Sequence, residues 1–413
     1  MTELAALGGT PVRSDPYPAW PHYDDGERDG VLRVLESRQW WASQGTEVRE
    51  FEREWAAYTG SPHAVAMTNG TNTLEAALLA LGVGQGDEVI LPDWSFFATI
   101  GAILSVNAIP VIVDLDPSTG TIDPAAIESA ISGRTKAIVV VHVCGSVGDM
   151  DAIGAIADRH GLAILEDCAH AHGSTWRGQH VGLLGDAGSF SFQASKLMTA
   201  GEGGVVITKR DDVSEMLQSY ANCGRNPGTW YYRHFRLGDN WRMTEWQGAV
   251  LRSQLGRFPE QQAVRAANAN LLNDQLALIP GVVPQGRLEG CDSQGNYCYL
   301  VFIDPEEFGA SRDQVRSALL AEGIPLTTSY PPMHSLDLFT EPDGLAPRIR
   351  NRDSHPDYAA QSFPVTERLA ETSLWFTTSV LMGTSEDALD VAQALKKVSD
   401  AKDELAKVAG VEY

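Results

Sequence analysis

Apolar residues recur along this chain at two spacings, and the switch between them marks out its elements. His63-Ala64-Val65-Ala66-Met67 is a short apolar run that predicts a strand. Leu74, Ala77, Leu78 and Leu81 then recur at helical spacing, which predicts a helix stopped by Gly82. Glu88-Val89-Ile90-Leu91 reads as the next strand. Further strands are predicted at Pro110 to Val113, Ala137 to Val143, Leu162 to Leu165, Ser189 to Phe192 and Val205 to Thr208, with helices such as Asp151 to His160 between several of them. Strands that alternate with helices predict an α/β domain with a mainly parallel sheet.

Residues 244 to 280 read as a long helix carrying Val250, Leu251, Gln254 and Leu255, and it leads into a second, smaller unit. There Tyr299-Leu300-Val301-Phe302-Ile303 predicts a strand, Arg312 to Glu322 a helix ended by Gly323, and Ser385 to Asp400 a late amphipathic helix. The sheet of this unit is expected to be small and partly solvent-facing. Thr340 to Asn351, rich in Pro, Gly and Asp, reads as a loop.

Composition narrows the partners more than the fold. With 54 acidic against 31 basic residues the chain carries a formal charge of −23, which repels phosphodiester backbones and anionic lipid. No stretch offers the ~18 uninterrupted apolar residues of a membrane helix, and Met1-Thr2-Glu3-Leu4-Ala5 lacks the basic start of a secretory signal. A cytoplasmic protein without nucleic-acid or membrane partners is expected. The cysteines Cys144, Cys168, Cys223, Cys291 and Cys298 form no C-x-x-C pair, so reduced thiols are expected, with Cys168 a buried packing residue.

In an open α/β sheet, ligands bind beyond the carboxyl ends of the strands, and three of those ends carry a coherent set. The first is Thr68-Asn69-Gly70-Thr71-Asn72 ahead of a helix. It reads either as an anion site suited to a phosphate or as an ordinary capped turn. The second is Glu166-Asp167-Cys168-Ala169-His170-Ala171-His172-Gly173. A carboxylate there is expensive to bury unless it meets a cation, and a protonated pyridine nitrogen is such a cation. The alternatives are Asp167 as a helix cap, and His170 with His172 as metal ligands near Cys168, a set that lacks a fourth member. The third is Gln193-Ala194-Ser195-Lys196 ahead of a glycine-rich run to Gly204. A lysine desolvated there has a lowered pKa, so it can form an imine and afterwards carry protons. Gly82-Val83-Gly84-Gln85-Gly86-Asp87 follows a helix and precedes a strand, so it is a turn and not a dinucleotide loop. Trp230-Tyr231-Tyr232 suits a ligand, a surface loop or a subunit contact.

Taken together these residues resemble the fold-type I sugar and cyclitol aminotransferases of the DegT/DnrJ/EryC1/StrS group. The resemblance begins at Leu7-Gly8-Gly9-Thr10-Pro11-Val12 and runs through Phe51-Glu52-Arg53-Glu54 and Asn69-Gly70-Thr71. It is strongest at Glu166 to Gly173 and Ser189 to Gly204, and returns at Gly238-Asp239-Asn240-Trp241-Arg242-Met243 and Tyr330-Pro331-Pro332-Met333-His334. It implies a large domain at 1–260 with a seven-stranded, mainly parallel sheet, and a smaller α+β domain at 261–413. It implies pyridoxal 5'-phosphate as cofactor, with pyridoxamine 5'-phosphate as its amine-carrying form. Lys196 would be the Schiff-base lysine, Asp167 the partner of the pyridine nitrogen, His170 a neighbour of the ring hydroxyl and Phe96 the stacking aromatic. Thr71, Asn72 and Ser191 would hold the phosphate. Asn240 would reach the phosphate of a second subunit, which implies a homodimer.

A related branch carries histidine in place of this lysine and dehydrates its substrate, which Lys196 argues against. The implied reaction moves an amino group from glutamine or glutamate to the ketone of a cyclitol or sugar, and Arg225 and Arg242 are candidates to meet the donor carboxylate. The motifs are nearest to members acting on free cyclitols and to 3-amino-5-hydroxybenzoate synthase. The alternatives are a dehydratase of that kind and a nucleotide-keto-sugar aminotransferase, the latter disfavoured by the negative charge. Ser195 stands where those members usually have glycine, and residues 291 to 300 are left without a matched family segment, which leaves the substrate open.

Overall fold

The computed structural model describes residues 3–229, 232–327, 329–341, 343–345, 349 and 352–408. Trp230, Tyr231 and much of the 340–351 loop lie outside them. The central sheet has seven strands in the order His63–Met67, Gly204–Thr208, Ala187–Ser191, Ala163–Asp167, Thr135–Val141, Glu88–Pro92, Ile109–Val113. Only Gly204–Thr208 runs antiparallel to its neighbours. Every strand expected between residues 60 and 210 is present, with ends displaced by at most two residues.

Alternate strand residues serve opposite cores. Val89, Leu91, Val139, Val141 and Leu165 pack on one face with Leu74 and Ala77, while Ile90, Ile138, Val140 and Ile164 pack on the other with Phe51, Trp55 and Leu251. Burial on both faces is why these strands read as unbroken apolar runs. Local chemistry sets the connections. Helix Met150–His160, for example, starts where the Asp149 side chain accepts from the Ala152 N–H and stops at Gly161 in the left-handed region.

Helix Glu245–Leu276 leaves this sheet as one continuous rod, and residue 260, where the larger domain was expected to end, falls inside it. Asp25–Ser37 and Glu47–Thr59 pack along it. Neither was picked out by periodicity, although the second buries Val48, Phe51 and Trp55.

A second sheet is antiparallel, in the order Val282–Pro284, Cys298–Ile303, Ser373–Thr377, Leu326–Thr327. Helices Arg312–Ala321 and Ser385–Asp400 bury Val315, Leu319, Val391 and Leu395 with its Val301 and Phe376. Solvent reaches its edge at Val283, whereas Cys298–Ile303 is buried throughout.

Two connections join this half to the central unit. Cys291–Ser293 pairs with Thr175–Trp176 and so carries the chain back over the central unit. The N-terminal arm is gripped by the buried carboxylate of Glu322, which accepts from the N–H groups of Ala5 at 2.9 Å and Val12 at 3.0 Å. Farther along, the Trp20 indole donates to the Ala194 carbonyl at 3.0 Å. Among the described residues no helix is long and apolar enough to cross a membrane, and all five cysteines are free thiols.

Candidate active site

A cavity of about 610 Å³ opens beyond the carboxyl ends of the central strands, and Thr71, Asn72, Phe96, Asp167, His170, Ser191 and Lys196 all line it. Asp167 ends its strand, and pleat alternation decides its direction. The preceding Glu166 turns the other way and accepts from the amides of Gly182, Leu184 and Gly185 and from His142 Nε2. His142 Nδ1 accepts from the Gly148 N–H, so its Nε2 carries the proton that points at Glu166. Asp167 faces the cavity with fewer partners. Thr99 Oγ1 donates to its Oδ2 at 2.8 Å, and the Ala169 N–H reaches Oδ1 at 3.2 Å. Burial pushes its pKa up and the Thr99 bond pulls it back. A cation placed beside it would be strongly held.

Lys196 lies in the loop after Ala187–Ser191 and is only 8% exposed. Burial pushes its amine down to about 8, against the pull of Asp167. Among the described lining residues it is the only lysine or arginine. An amine must be neutral to attack an aldehyde, so capture of an aldehyde cofactor by the cofactor-free protein should have its midpoint near pH 8 and rise above it. Stopped-flow absorbance across pH 6.5–10 checks this; a midpoint near the ~10.4 of a free lysine would refute it.

His170 is buried and its Nδ1 accepts from the Cys144 N–H at 3.4 Å. The ring proton therefore sits on Nε2, 3.4 Å from the Tyr330 hydroxyl. Burial and the Lys196 charge hold its pKa well below the usual histidine value, so the ring is neutral. His172 does not join it. Its ring sits among Trp55, Phe190, Phe192 and Phe258, and burial pushes its pKa to about 3. The ligand-type atoms that do cluster, within 4.8 Å, belong to His142, Glu166 and Cys168, and both Glu166 oxygens are already occupied by hydrogen bonds.

Helix Gly70–Ala80 starts at the cavity, which Gly70, Thr71 and Asn72 line, and the first amides of a helix suit an anion. Asn69 caps it by accepting from the Asn72 N–H at 2.9 Å, and Asn72 Oδ1 accepts from Thr68 Oγ1 and Asn69 Nδ2, each at 2.8 Å. Asn72 is thus already engaged at its amide and its side chain. A Cβ on Gly70 would lie 2.6 Å from Ser191 Cβ, so glycine is what lets helix and strand meet there. Gly70→Ala should weaken cofactor binding roughly 10-fold by prising the helix end off Ser191, since such a displacement costs about 1–3 kcal/mol; titration of the cofactor-free variant checks it.

Phe96 is 55% exposed at the mouth of the cavity. Asn240 is exposed outside it, pairing by backbone with Asn222. Neither Arg225 nor Arg242 lines it; Arg242 donates to Asn222 Oδ1 at 2.9 Å and faces a separate polar pocket beside Arg49 and Glu52. Sequence reasoning missed two wall residues, Tyr297 and Tyr330. Tyr330 belonged to a recognised motif but carried no role. It is held over Phe96 by Trp94, whose indole donates to the Tyr330 carbonyl at 2.9 Å, and by Asp93, which accepts from the His334 amide and from its ring Nδ1 at 2.6 Å.

The profile of the DegT/DnrJ/EryC1/StrS aminotransferase family matches residues 22–396. The chain belongs to that family. This family member is 41% identical over 418 residues to an L-glutamine:2-deoxy-scyllo-inosose aminotransferase of Streptoalloteichus tenebrarius, covering 96% of this chain and 97% of the relative. It is 40% identical over 368 residues to a 3-amino-5-hydroxybenzoate synthase of Amycolatopsis mediterranei, covering 89% and 93%. A crystal structure of 3-amino-5-hydroxybenzoic acid synthase superposes with a TM-score of 0.86 at 37% identity, covering 94% of this chain and all of that one. The family is pyridoxal-phosphate-dependent. The cavity of this member suits such a group: a buried carboxylate short of a cation, an amine whose pKa burial brings down to about 8, and a helix end closed against Ser191 by a glycine no Cβ could replace.

Proposed function

We propose that this aminotransferase moves an amino group from L-glutamine or L-glutamate to the ketone of a cyclitol or sugar in secondary metabolism, with pyridoxal phosphate bound through Lys196. The observation that carries it is the convergence of Lys196 and Asp167 in one cavity, in a chain similar over nearly its full length to a glutamine:cyclitol aminotransferase. Bound there, the cofactor supplies an electron sink and an amine carrier. The protein supplies the rest. Asp167 keeps the ring nitrogen protonated, Phe96 stacks on the ring, and neutral His170 donates through Nε2 toward its hydroxyl. Thr71, Asn72 and Ser191 hold the phosphate, and the Lys196 amine shuttles the proton between carbons.

Among the described residues, the cavity lining of one chain offers no arginine. In this reading a second copy completes the site, with Asn240 at the phosphate and Arg225 or Arg242 as the cation for the donor carboxylate. The enzyme then works as a cytoplasmic homodimer of chains with a larger domain at 1–260 and a smaller one at 261–413, the two sharing helix Glu245–Leu276.

The test is to incubate the loaded enzyme with L-glutamine, follow the bleaching of the lysine-bound cofactor's absorbance, then add 2-deoxy-scyllo-inosose and look for the aminocyclitol. No bleaching with glutamine, glutamate or other amino acids would sink the transfer. The superposition on 3-amino-5-hydroxybenzoic acid synthase favours a second reading, a dehydratase that aromatises an aminoketone. That enzyme would release water without consuming a donor.

A further inference from the structure

Tyr297 touches both residues to which proton chemistry is assigned. Its ring stacks on His170, with centroids 4.1 Å apart and planes 18° from parallel. Lys196 Nζ lies 4.5 Å from the same centroid. The Tyr297 hydroxyl is 2.9 Å from Ser195 Oγ. Ser195 in turn gives its amide and its hydroxyl proton to Gln193 Oε1, at 2.8 and 2.7 Å. With that proton committed, the contact has one polarity: Tyr297 donates and Ser195 accepts. In the fold Ser195 and the 291–300 segment are the two ends of one hydrogen bond.

We propose that Tyr297, tethered by Ser195, is a positioning residue that sets the orientation and charge state of the Lys196 amine. An ammonium over an aromatic face is attracted by the ring quadrupole, most strongly where water is excluded. The other groups around this amine are Asp167, which favours its charge, the thiols of Cys144 and Cys298, and the rings of His170 and His172, which feel the lysine's charge. None of these presents a π face tied to the residue preceding the lysine. By steadying the ammonium, Tyr297 opposes the burial that would otherwise drive the proton off at still lower pH. The role rests on Lys196 being the cofactor's lysine only for its catalytic consequence; the contact acts on the amine itself.

The experiment titrates Lys196 in the full-length, cofactor-free protein by reductive methylation as a function of pH, quantified by peptide mass spectrometry. Tyr297→Met, which fills the space without a π face, should lower the midpoint by about one pH unit. Tyr297→Phe keeps the ring and should stay near the parent. Ser195→Ala and Tyr297→Phe remove the same hydrogen bond, so their effects on the cofactor dissociation constant should not add in the double variant. An unchanged midpoint in a folded Tyr297→Met, or equal drops for Met and Phe, would overturn the proposal. Should the methionine variant fail to fold, full additivity of the other two overturns it. The labelling uses no cofactor, so an error in the assignment of Lys196 shows separately, as covalent cofactor binding retained by Lys196→Ala.

Discussion

Lys196→Ala should lose turnover by about 10⁴-fold or more and lose the absorbance of the lysine-bound cofactor, yet fold at least as well as the parent. The loss follows from one side chain acting both as covalent anchor and as proton carrier, a role worth ~10²–10⁴-fold by itself. The stability expectation has a sign that can be worked out. The folded pKa of Lys196, about 8, lies below its free value, so the unfolded chain binds the proton more tightly. Folding is penalised in full below pH 8, and the penalty fades as pH climbs from 8 toward the free value. Alanine removes it. In the absence of cofactor, the melting temperature of the variant should exceed that of the parent most clearly below pH 8, and the two should converge at alkaline pH. Turnover within tenfold of the parent would remove Lys196 from the centre of the reaction.

Asp167→Asn is the second large effect. Asparagine keeps the shape and the Thr99 contact but cannot answer a cation. Removing one partner of a buried charge pair costs about 3–5 kcal/mol, which corresponds to roughly 10²- to 10⁴-fold in rate. Cofactor should still attach to Lys196, because that bond does not involve Asp167. The expected signature is therefore a loaded, coloured and nearly inactive enzyme, measured as single-turnover bleaching with L-glutamine. A variant that bleaches at the parental rate would show that Asp167 serves only the fold.

Much of this site was legible in the sequence because strand ends announce themselves. Asp167 and Lys196 each follow an apolar run, and a carboxylate or a lysine in such a place is costly unless it has a use. The same logic could not separate Glu166 from Asp167. Pleat alternation did so, sending one to three backbone amides and the other into the cavity. His172 was drawn toward a metal reading by its nearness to His170 in sequence, whereas its ring belongs to an aromatic cluster on the other face of the sheet. Tyr297 was invisible because its importance lies in partners more than a hundred residues away, brought near by a three-stranded sheet too short to leave a periodic signal. Arg225 and Arg242 were nominated for their charge, and charge alone does not say which pocket a side chain enters.

The rod-like helix Glu245–Leu276 separates two sources of cavity wall. Lys196, Asp167, His170 and the phosphate-facing helix end come before it in the chain; Tyr297 and Tyr330 come after it. Recombination between relatives could exploit that order. A crossover in the short connection after Leu276, with the N-terminal arm taken from the same parent as the later half so that Glu322 keeps its grip, would transplant the Tyr297 and Tyr330 walls onto an unchanged catalytic floor. A crossover inside the helix would break a packed rod and yield hybrids that aggregate.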